Sequence, residues 1–462
     1  MKYDIIVIGS GPGGYVAAIR AAQLGKSVAV VERAELGGTC LNWGCIPTKA
    51  LLKSAQVLHY AQSAASYGID IVGEVKADPS KIVDRSRTVA ETMSKGVNFL
   101  MGKNKIEIIK GEGSLAGDGK VTVRSAEGEQ TVEADSIILA TGARPREMPF
   151  MPIDGKYVIS SKEALVLKEL PETMVVCGSG AIGSEFAYLY ASLGVKVTVV
   201  EFAPNLMPLE DEDVSKAMER AFRKMRIGVM TSTAVKGVSV VDGKCAVEVE
   251  GKKGAETLSA DVVLSAVGIK TNIEGLGLEA LGIEVERDKI KVDGSFQTAA
   301  KGVYAIGDLI ATPALAHVAS AEAIACVEGI CGLNPDPVDY TTIPSCVYTS
   351  PEVASVGMTE KQAVEAGYTV KVGKFPYTAS GKATAAGDRD GFVKLVFNAE
   401  DDKLLGAHFV GAGVTEMIAE PTIAKAMGAS AHTIARTIHS HPTMNEAVME
   451  AAEAAMGCAI HM

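Results

Sequence analysis

One pattern occurs twice in this chain and restricts its fold more than any other feature. Asp4-Ile5-Ile6-Val7-Ile8 is a short apolar run ending in Gly9-Ser10-Gly11-Pro12-Gly13-Gly14. An alanine-rich stretch follows to about Leu24, Gly25 closes it, and Ser27 to Glu32 is apolar again. Met174-Val175-Val176-Cys177 leads in the same way into Gly178-Ser179-Gly180-Ala181-Ile182-Gly183, a stretch to about Leu193, Gly194, and a run from Lys196 to Glu201. Gly9 and Gly178 stand 169 residues apart, and so do Glu32 and Glu201. A lone glycine run of this kind is weak evidence. Two copies, each with a strand before it, a helix after it and a glutamate at the second strand's tip, predict two strand–helix–strand units that hold dinucleotides.

The chemistry of such a unit follows from its residues. Glycines let the backbone approach a pyrophosphate, and the helix N-terminus favours its negative charge. The closing glutamate accepts hydrogen bonds from both ribose hydroxyls and repels a 2′-phosphate, so Glu201 favours NAD over NADP. Asp135–Gly142 and Asp261–Gly268 form a further pair of matched apolar runs ending in glycine.

The 462 residues suffice for about three domains of ~150 residues each. Lys53 to Met101 has helical spacing, and Lys105 to Val132 alternates as strands do. Gly302-Val303-Tyr304-Ala305-Ile306-Gly307-Asp308 is a strand presenting an aspartate, with a helix expected from about Ala314 to Gly329. Asn334-Pro335-Asp336-Pro337 reads as a linker. Thr341 to Met462 reads as strands, then helices, without a dinucleotide motif, and suits self-association. A net charge of −11 argues against a nucleic-acid partner. No apolar run reaches the ~20 residues of a membrane helix. Met1-Lys2-Tyr3 leads straight into the first strand, so no signal peptide is expected. Six of the eight cysteines (Cys177, Cys245, Cys326, Cys331, Cys346, Cys458) lack close partners and are expected to be reduced, in a cytoplasmic setting.

The other two, Cys40 and Cys45, sit in Gly37-Gly38-Thr39-Cys40-Leu41-Asn42-Trp43-Gly44-Cys45-Ile46-Pro47-Thr48-Lys49, just after the first unit. Thiols this close can form a small-loop disulfide that opens and closes beside a cofactor. A zinc pair completed by His439 and His441 is a second reading, although a metal would not explain two dinucleotide units. An inert bridge is a third, although so short a loop constrains little of the unfolded chain. His439-Ser440-His441, taken by spacing alone, reads as two surface histidines.

The cysteine run, the two glycine fingerprints, Gly307-Asp308 and His439-Ser440-His441-Pro442-Thr443-Met444-Asn445-Glu446 occur in that order. Together they resemble the pyridine nucleotide–disulfide oxidoreductases of class I, and among them the members that reoxidise dihydrolipoamide. The resemblance covers essentially the whole chain. It implies an α/β fold with two Rossmann-like domains, for FAD and NAD, and a C-terminal α+β dimerisation domain. The expected segments are 1–148 for FAD, 149–270 for NAD, 271–337 completing the FAD site and 338–462 at the interface. It implies a homodimer in which one subunit's C-terminal domain completes the other's active site. The implied partners are lipoyl domains of 2-oxo acid dehydrogenase complexes or the glycine cleavage carrier protein.

The resemblance also assigns roles. Cys45 faces the flavin as a thiolate, and Cys40 exchanges with the substrate's sulfur. His441 accepts the proton, Glu446 orients it, and His439 supports them. Gly9, Gly11, Gly14 and Glu32 belong to the FAD site, where Asp308 meets the ribityl chain and Lys49 lies near flavin N5. Gly178, Gly180, Gly183 and Glu201 belong to the NAD site, where Glu185 pairs with Lys49 and touches nicotinamide. Gly113, Thr141, Gly142, Ala316, Ile182, Val235 and Gly268 complete the implied cofactor contacts. Departures from the family pattern are Ile269-Lys270 where arginine is often found, alanine for a common methionine in Thr312–His317, and Trp43 for a frequent valine. A glutathione-reducing member would want arginines where Glu201 stands. A mercury-reducing member would want a vicinal cysteine pair near the C-terminus, where Cys458 stands alone. A non-catalytic flavoprotein subunit would not need all four of Cys40, Cys45, His441 and Glu446.

Overall fold

Continuous apolar runs four to six residues long are what parallel strands buried on both faces require. β1 (Lys2–Ile8) is such a strand. The computed structural model describes residues 2–462 and divides them into two compact units. The first comprises the described residues up to Leu51, together with Ser80–Arg146 and Gly268–Val338. In it, α1 (Pro12–Gln23) connects β1 to β2 (Val28–Glu32), which pairs parallel with β1. α2 (Gly38–Trp43) and the head of α3 (Cys45–Gln62) follow, then α4 (Pro79–Lys103). β3 (Glu107–Lys110), β4 (Glu112–Gly117), β5 (Lys120–Ser125) and β6 (Gly128–Leu139) complete a sheet of order β3-β2-β1-β6-β5-β4. β6 is long enough to serve two neighbourhoods. Its first half pairs antiparallel with β5, and its second half lies parallel to β1 and to the strand Val303–Ala305.

The second unit comprises Leu52–Pro79, Glu147–Val267 and Asp339–Met462. Its parallel sheet runs Gly228–Met230, Lys196–Val200, Thr173–Cys177, Val262–Ser265 and Val158–Ile159. The helix Ala181–Ser192 makes the crossover between Thr173–Cys177 and Lys196–Val200. An antiparallel five-stranded sheet is built from Pro344–Val347, Glu352–Gly357, Leu404–Gly411, Phe392–Asn398 and Val370–Pro376. The helix Glu446–Ala455 crosses that sheet at Gly373, where a Cβ would lie 1.8 Å from the Ala451 carbonyl oxygen.

Two expectations need correction. The helical reading of 53–101 is interrupted. α3 ends at Gln62, Gly68 takes φ +72, and α4 begins only at Pro79. Gly68 caps the short 3-10 turn Ala64–Tyr67 that follows α3, and proline starts α4. In 341–462 helices are interleaved with strands, as at Glu360–Glu365 and Gly381–Ala386, rather than following them. Cys177 is fully enclosed in its core, where burial pushes its thiol up to about 12.

A buried charge cluster sits inside the second unit. Lys394, almost wholly enclosed, donates to Asp211 (2.8 Å), Asp213 (3.1 Å) and Glu360 (2.8 Å). Beside it, Glu210 Oε2 is shielded from solvent without a partner. Burial pushes the Glu210 carboxyl up to about 7, a hydrogen bond to Ser355 opposing it and the Asp211 charge adding to it. Between about 4.5 and 7 the unfolded chain releases this proton while the folded chain keeps it. The group's contribution to stability therefore falls as pH rises through that window and is constant above it. Glu210→Gln should gain stability over the parent between pH 5 and pH 8, on the order of 2 kcal/mol, in denaturant titrations at the two pH values. An equal offset at both would show that the carboxyl ionises freely in the folded chain.

Candidate functional site

The two glycine turns are superimposable in their chemistry. Gly9 takes φ +101, and a Cβ there would lie 2.4 Å from the Ala140 carbonyl oxygen. A Cβ on Gly14 would lie 1.9 Å from the Gly9 carbonyl oxygen. Gly178 and Gly183 repeat both restrictions, at 2.5 Å from Ala266 O and 2.0 Å from Gly178 O. Gly11 and Gly180 differ: a Cβ on either meets no protein atom within 4 Å. Each stands at the N-cap of a twelve-residue helix with no side-chain cap, so unpaired N–H groups and the positive dipole end face a backbone cradle. That cradle fits a pyrophosphate.

Glu32 and Glu201 close these turns. Glu32 Oε2 accepts from the Ser10 amide (2.9 Å) and hydroxyl (2.6 Å), and Oε1 from the Ala34 amide (2.8 Å). Glu201 accepts identically from Ser179 (2.8 and 2.7 Å) and the Ala203 amide (2.7 Å). Ser10 and Ser179 are thus site residues that sequence reasoning passed over. Their recurrence at the second position of both fingerprints was the available signal.

The cysteine segment is hung on the first turn. The Gly37 amide donates to the Ser10 carbonyl (3.1 Å), and a Cβ on Gly38 would lie 2.7 Å from Gly11 Cα. Cys40 lies half-buried on α2, Gly44 breaks that helix, and Cys45 opens α3. The first hydrogen bond of α3 runs from the Thr48 amide to the Gly44 carbonyl (3.1 Å). Both cysteines are thiols, and they share a hydrogen bond. That bond, then burial, then the charge at Cys45 hold the Cys40 thiol far above its ordinary value, with Lys49 opposing. Cys45, exposed at a helix N-terminus, is where negative charge is favoured.

Other expected residues surround the same unit. Asp308 is buried, its carboxyl raised by burial and opposed by Lys289, whose ammonium also holds the Asp308 carbonyl (2.5 Å). Thr141 Oγ1 donates to the Asn272 carbonyl (2.7 Å), and the Asn272 amide donates to the Gly142 carbonyl (2.9 Å). Gly113 lies in β4 against Val31 and Ile8, and Ala316 opens the helix Ala316–Ile330. In the second unit, Ile182 is 41% exposed at the head of its helix, an apolar side chain left beside the cradle. Glu185 is buried rather than solvated and accepts from the Tyr348 amide (3.0 Å). Val235 sits at a register shift in Ala234–Val241, and Gly268 takes φ +110 with open space at its Cβ position.

His441 belongs to the second unit, where its side chain is 79% exposed. Its Nδ1 donates to Glu446 Oε1 (2.7 Å), and Glu446 Oε2 accepts from the Thr443 amide (2.8 Å). Burial works against the Glu446 carboxylate, yet the His441 hydrogen bond and that amide hold it below the usual range. The tautomer is thereby set and Nε2 is left facing outward as a proton acceptor. His439 has no such freedom: its nitrogens are engaged by Glu420 (2.7 Å) and the Thr437 carbonyl (2.8 Å).

Residues 3–323 match the model of the pyridine nucleotide-disulphide oxidoreductase family, and residues 343–452 match its dimerisation domain. The chain is 48% identical to a dihydrolipoyl dehydrogenase of Chlorobaculum parvum, over 98% of this chain and 97% of that one. It is 45% identical to that of Bacillus subtilis, over 100% and 99%. Among solved structures, LpdA from Mycobacterium tuberculosis superposes with a TM-score of 0.90 at 27% identity, covering 97% of this chain and 99% of that one. The flavoprotein disulfide reductase RclA from Escherichia coli, in its copper(II) complex, superposes with a TM-score of 0.88 at 26% identity, over 98% and 99%.

The two kinds of glycine should separate on substitution. Gly11→Ala has room in the protein and should fold with near-parental thermal stability, yet carry much less flavin per chain. Gly14→Ala collides with backbone and should lower the unfolding temperature itself. Full flavin content in Gly11→Ala would show that the cradle is not the pyrophosphate site.

Proposed function

The chain belongs to the pyridine nucleotide–disulphide oxidoreductases, and from that membership we propose that it acts as a dihydrolipoyl dehydrogenase, oxidising protein-bound dihydrolipoamide and reducing NAD⁺. The observation that carries the reading is the hydrogen-bonded pair of Cys40 on α2 and Cys45 at the head of α3, in a chain with two dinucleotide turns. FAD, when bound, supplies a two-electron relay between the thiols and NAD⁺. Gly9, Gly11, Gly14, Glu32 and Asp308 would hold it, and Gly178, Gly180, Gly183 and Glu201 would hold NAD. Segments 1–148 and 271–337 serve the first cofactor, 149–270 the second, and 338–462 self-association.

In turnover the pair begins as a disulfide. A substrate thiolate attacks Cys40, breaking the Cys40–Cys45 bond and leaving Cys45 as thiolate. The second substrate thiol gives its proton to His441 Nε2 and attacks the sulfur bound to Cys40. The lipoyl ring closes, Cys40 leaves as thiolate, and it takes that proton back from the His441 imidazolium. Glu446 stabilises the imidazolium and keeps it aimed. The surplus charge stays on Cys45, at the exposed head of α3.

His441 stands exposed on the C-terminal segment that matches a dimerisation domain, with Ile423, Met427 and Ile438 exposed in the same segment. A homodimer in which His441 serves the partner's cysteine pair accounts for both. Lipoyl domains of 2-oxo acid dehydrogenase complexes or of the glycine cleavage carrier are the substrates this chemistry fits, in the cytoplasm.

Anaerobic titration of the flavin-loaded chain with dihydrolipoamide should produce a long-wavelength absorbance after two electrons, absent in Cys45→Ala. Direct bleaching of the flavin without it would refute the Cys45 role. His441→Ala should keep its flavin and lose about 10²–10⁴-fold in dithiol oxidation. Unchanged turnover would reject His441 as the base.

A further inference from the structure

Three consecutive side chains of α4 hold three carbonyl groups of the cysteine segment. Arg85 donates to the Ala50 carbonyl (2.7 Å), Ser86 to the Pro47 carbonyl (2.9 Å), and Arg87 to the Asn42 carbonyl. Ser86 is wholly buried. The Arg87 guanidinium also lies over the Trp43 ring, 4.6 Å from its centroid, and Trp43 Nε1 reaches Glu35 (3.4 Å). The Asn42 side chain donates to the Leu36 (2.9 Å) and Gly38 (3.0 Å) carbonyls. Asn42 and Trp43 lie inside the ring that a Cys40–Cys45 bond closes, while Pro47 and Ala50 lie just beyond it. The residues between the two sulfurs are therefore gripped from a separate helix.

We propose that Arg85, Ser86 and Arg87 form a brace that sets the redox poise of the Cys40–Cys45 couple, with Arg87 and the stacked Trp43 its principal contact. They are positioning residues. The physical argument concerns conformational freedom. In the disulfide form the covalent bond itself holds the loop. In the dithiol form that hold falls to noncovalent contacts, of which the brace is the part that comes from a separate helix. Releasing the brace frees the dithiol and scarcely changes the disulfide, so it favours reduction. A held loop keeps one thiol at high effective concentration toward the other. Arginine suits this grip because its planar fork donates at its edge while its face stacks on the indole. This inference rests on the redox reading of the cysteine pair given above.

The test is an equilibrium. The flavin-loaded chain is held anaerobically in dithiothreitol buffers of graded redox ratio, and free thiols are alkylated and counted by peptide mass. The Cys40–Cys45 bond takes two electrons and two protons from dithiothreitol, whose own thiols close to a cyclic disulfide. In Arg87→Met the reduction constant should rise about tenfold, equivalent to about 30 mV for a two-electron couple. Ser86→Ala should move the same way by less. Val97→Ala, a core truncation on the same helix, should lower thermal stability and leave the couple in place. Parental titration of both Arg87→Met and Ser86→Ala, or an equal shift in Val97→Ala, would overturn the brace. A parent chain that never closes the bond would overturn the functional reading beneath it.

Discussion

A carbonyl oxygen that tolerates no side chain beside it organises each half of this molecule. The Gly9 oxygen lies where a Gly14 Cβ would be, and the Gly178 oxygen where a Gly183 Cβ would be. Such contact seats the first turn of a helix directly on the end of a strand. The helix N-terminus, its unpaired N–H groups and the open Cβ positions of Gly11 and Gly180 then face the same space. The glutamate at the tip of the next strand finds the turn's serine within hydrogen-bonding reach. In the first unit the consequence travels further, because Gly37 and Gly38 rest on Ser10 and Gly11 and carry the cysteine segment with them.

The chemistry reads as an allocation of protons. The hydrogen bond it shares with Cys45, then burial, push the Cys40 thiol upward. Cys45 opens an eighteen-residue helix, whose dipole accepts negative charge. His441 is made a base at one nitrogen by committing the other to Glu446. None of these groups needs an unusual side chain. Each owes its behaviour to what stands beside it.

How much of this was legible depended on the range of the signal. Glycine turns, the run from Asp4 to Ile8 and its counterpart before Gly178, and the histidine–glutamate spacing are local, and they appear in the structure where the sequence puts them. The stretch 53–101 misled because alanine and leucine spacing marks its two ends, residues 53–62 and 79–101, while residues 63–78, with Gly68, Gly73 and no leucine, carry no such spacing and leave α3 and α4 as separate helices. Glu185 is buried and accepts from the Tyr348 amide 163 residues away, a contact that spacing along the chain does not record. Lys289 on Asp308, and Arg87 on Asn42 and Trp43, left no mark in spacing at all, since neither pair shares an element.

By itself the sequence determined the two strand–helix–strand units, the placement of their glutamates and the closeness of Cys40 to Cys45. Those properties depend on backbone conformations and bond distances within about thirty residues, which glycine, proline and short apolar runs dictate. The tertiary structure alone decided that Glu185 is buried against Tyr348, that Lys289 meets Asp308, and which helix grips the cysteine loop. These are questions of what approaches a group from elsewhere in the chain. Burial and Coulomb energies depend on distance in space, and no periodicity along the chain records it.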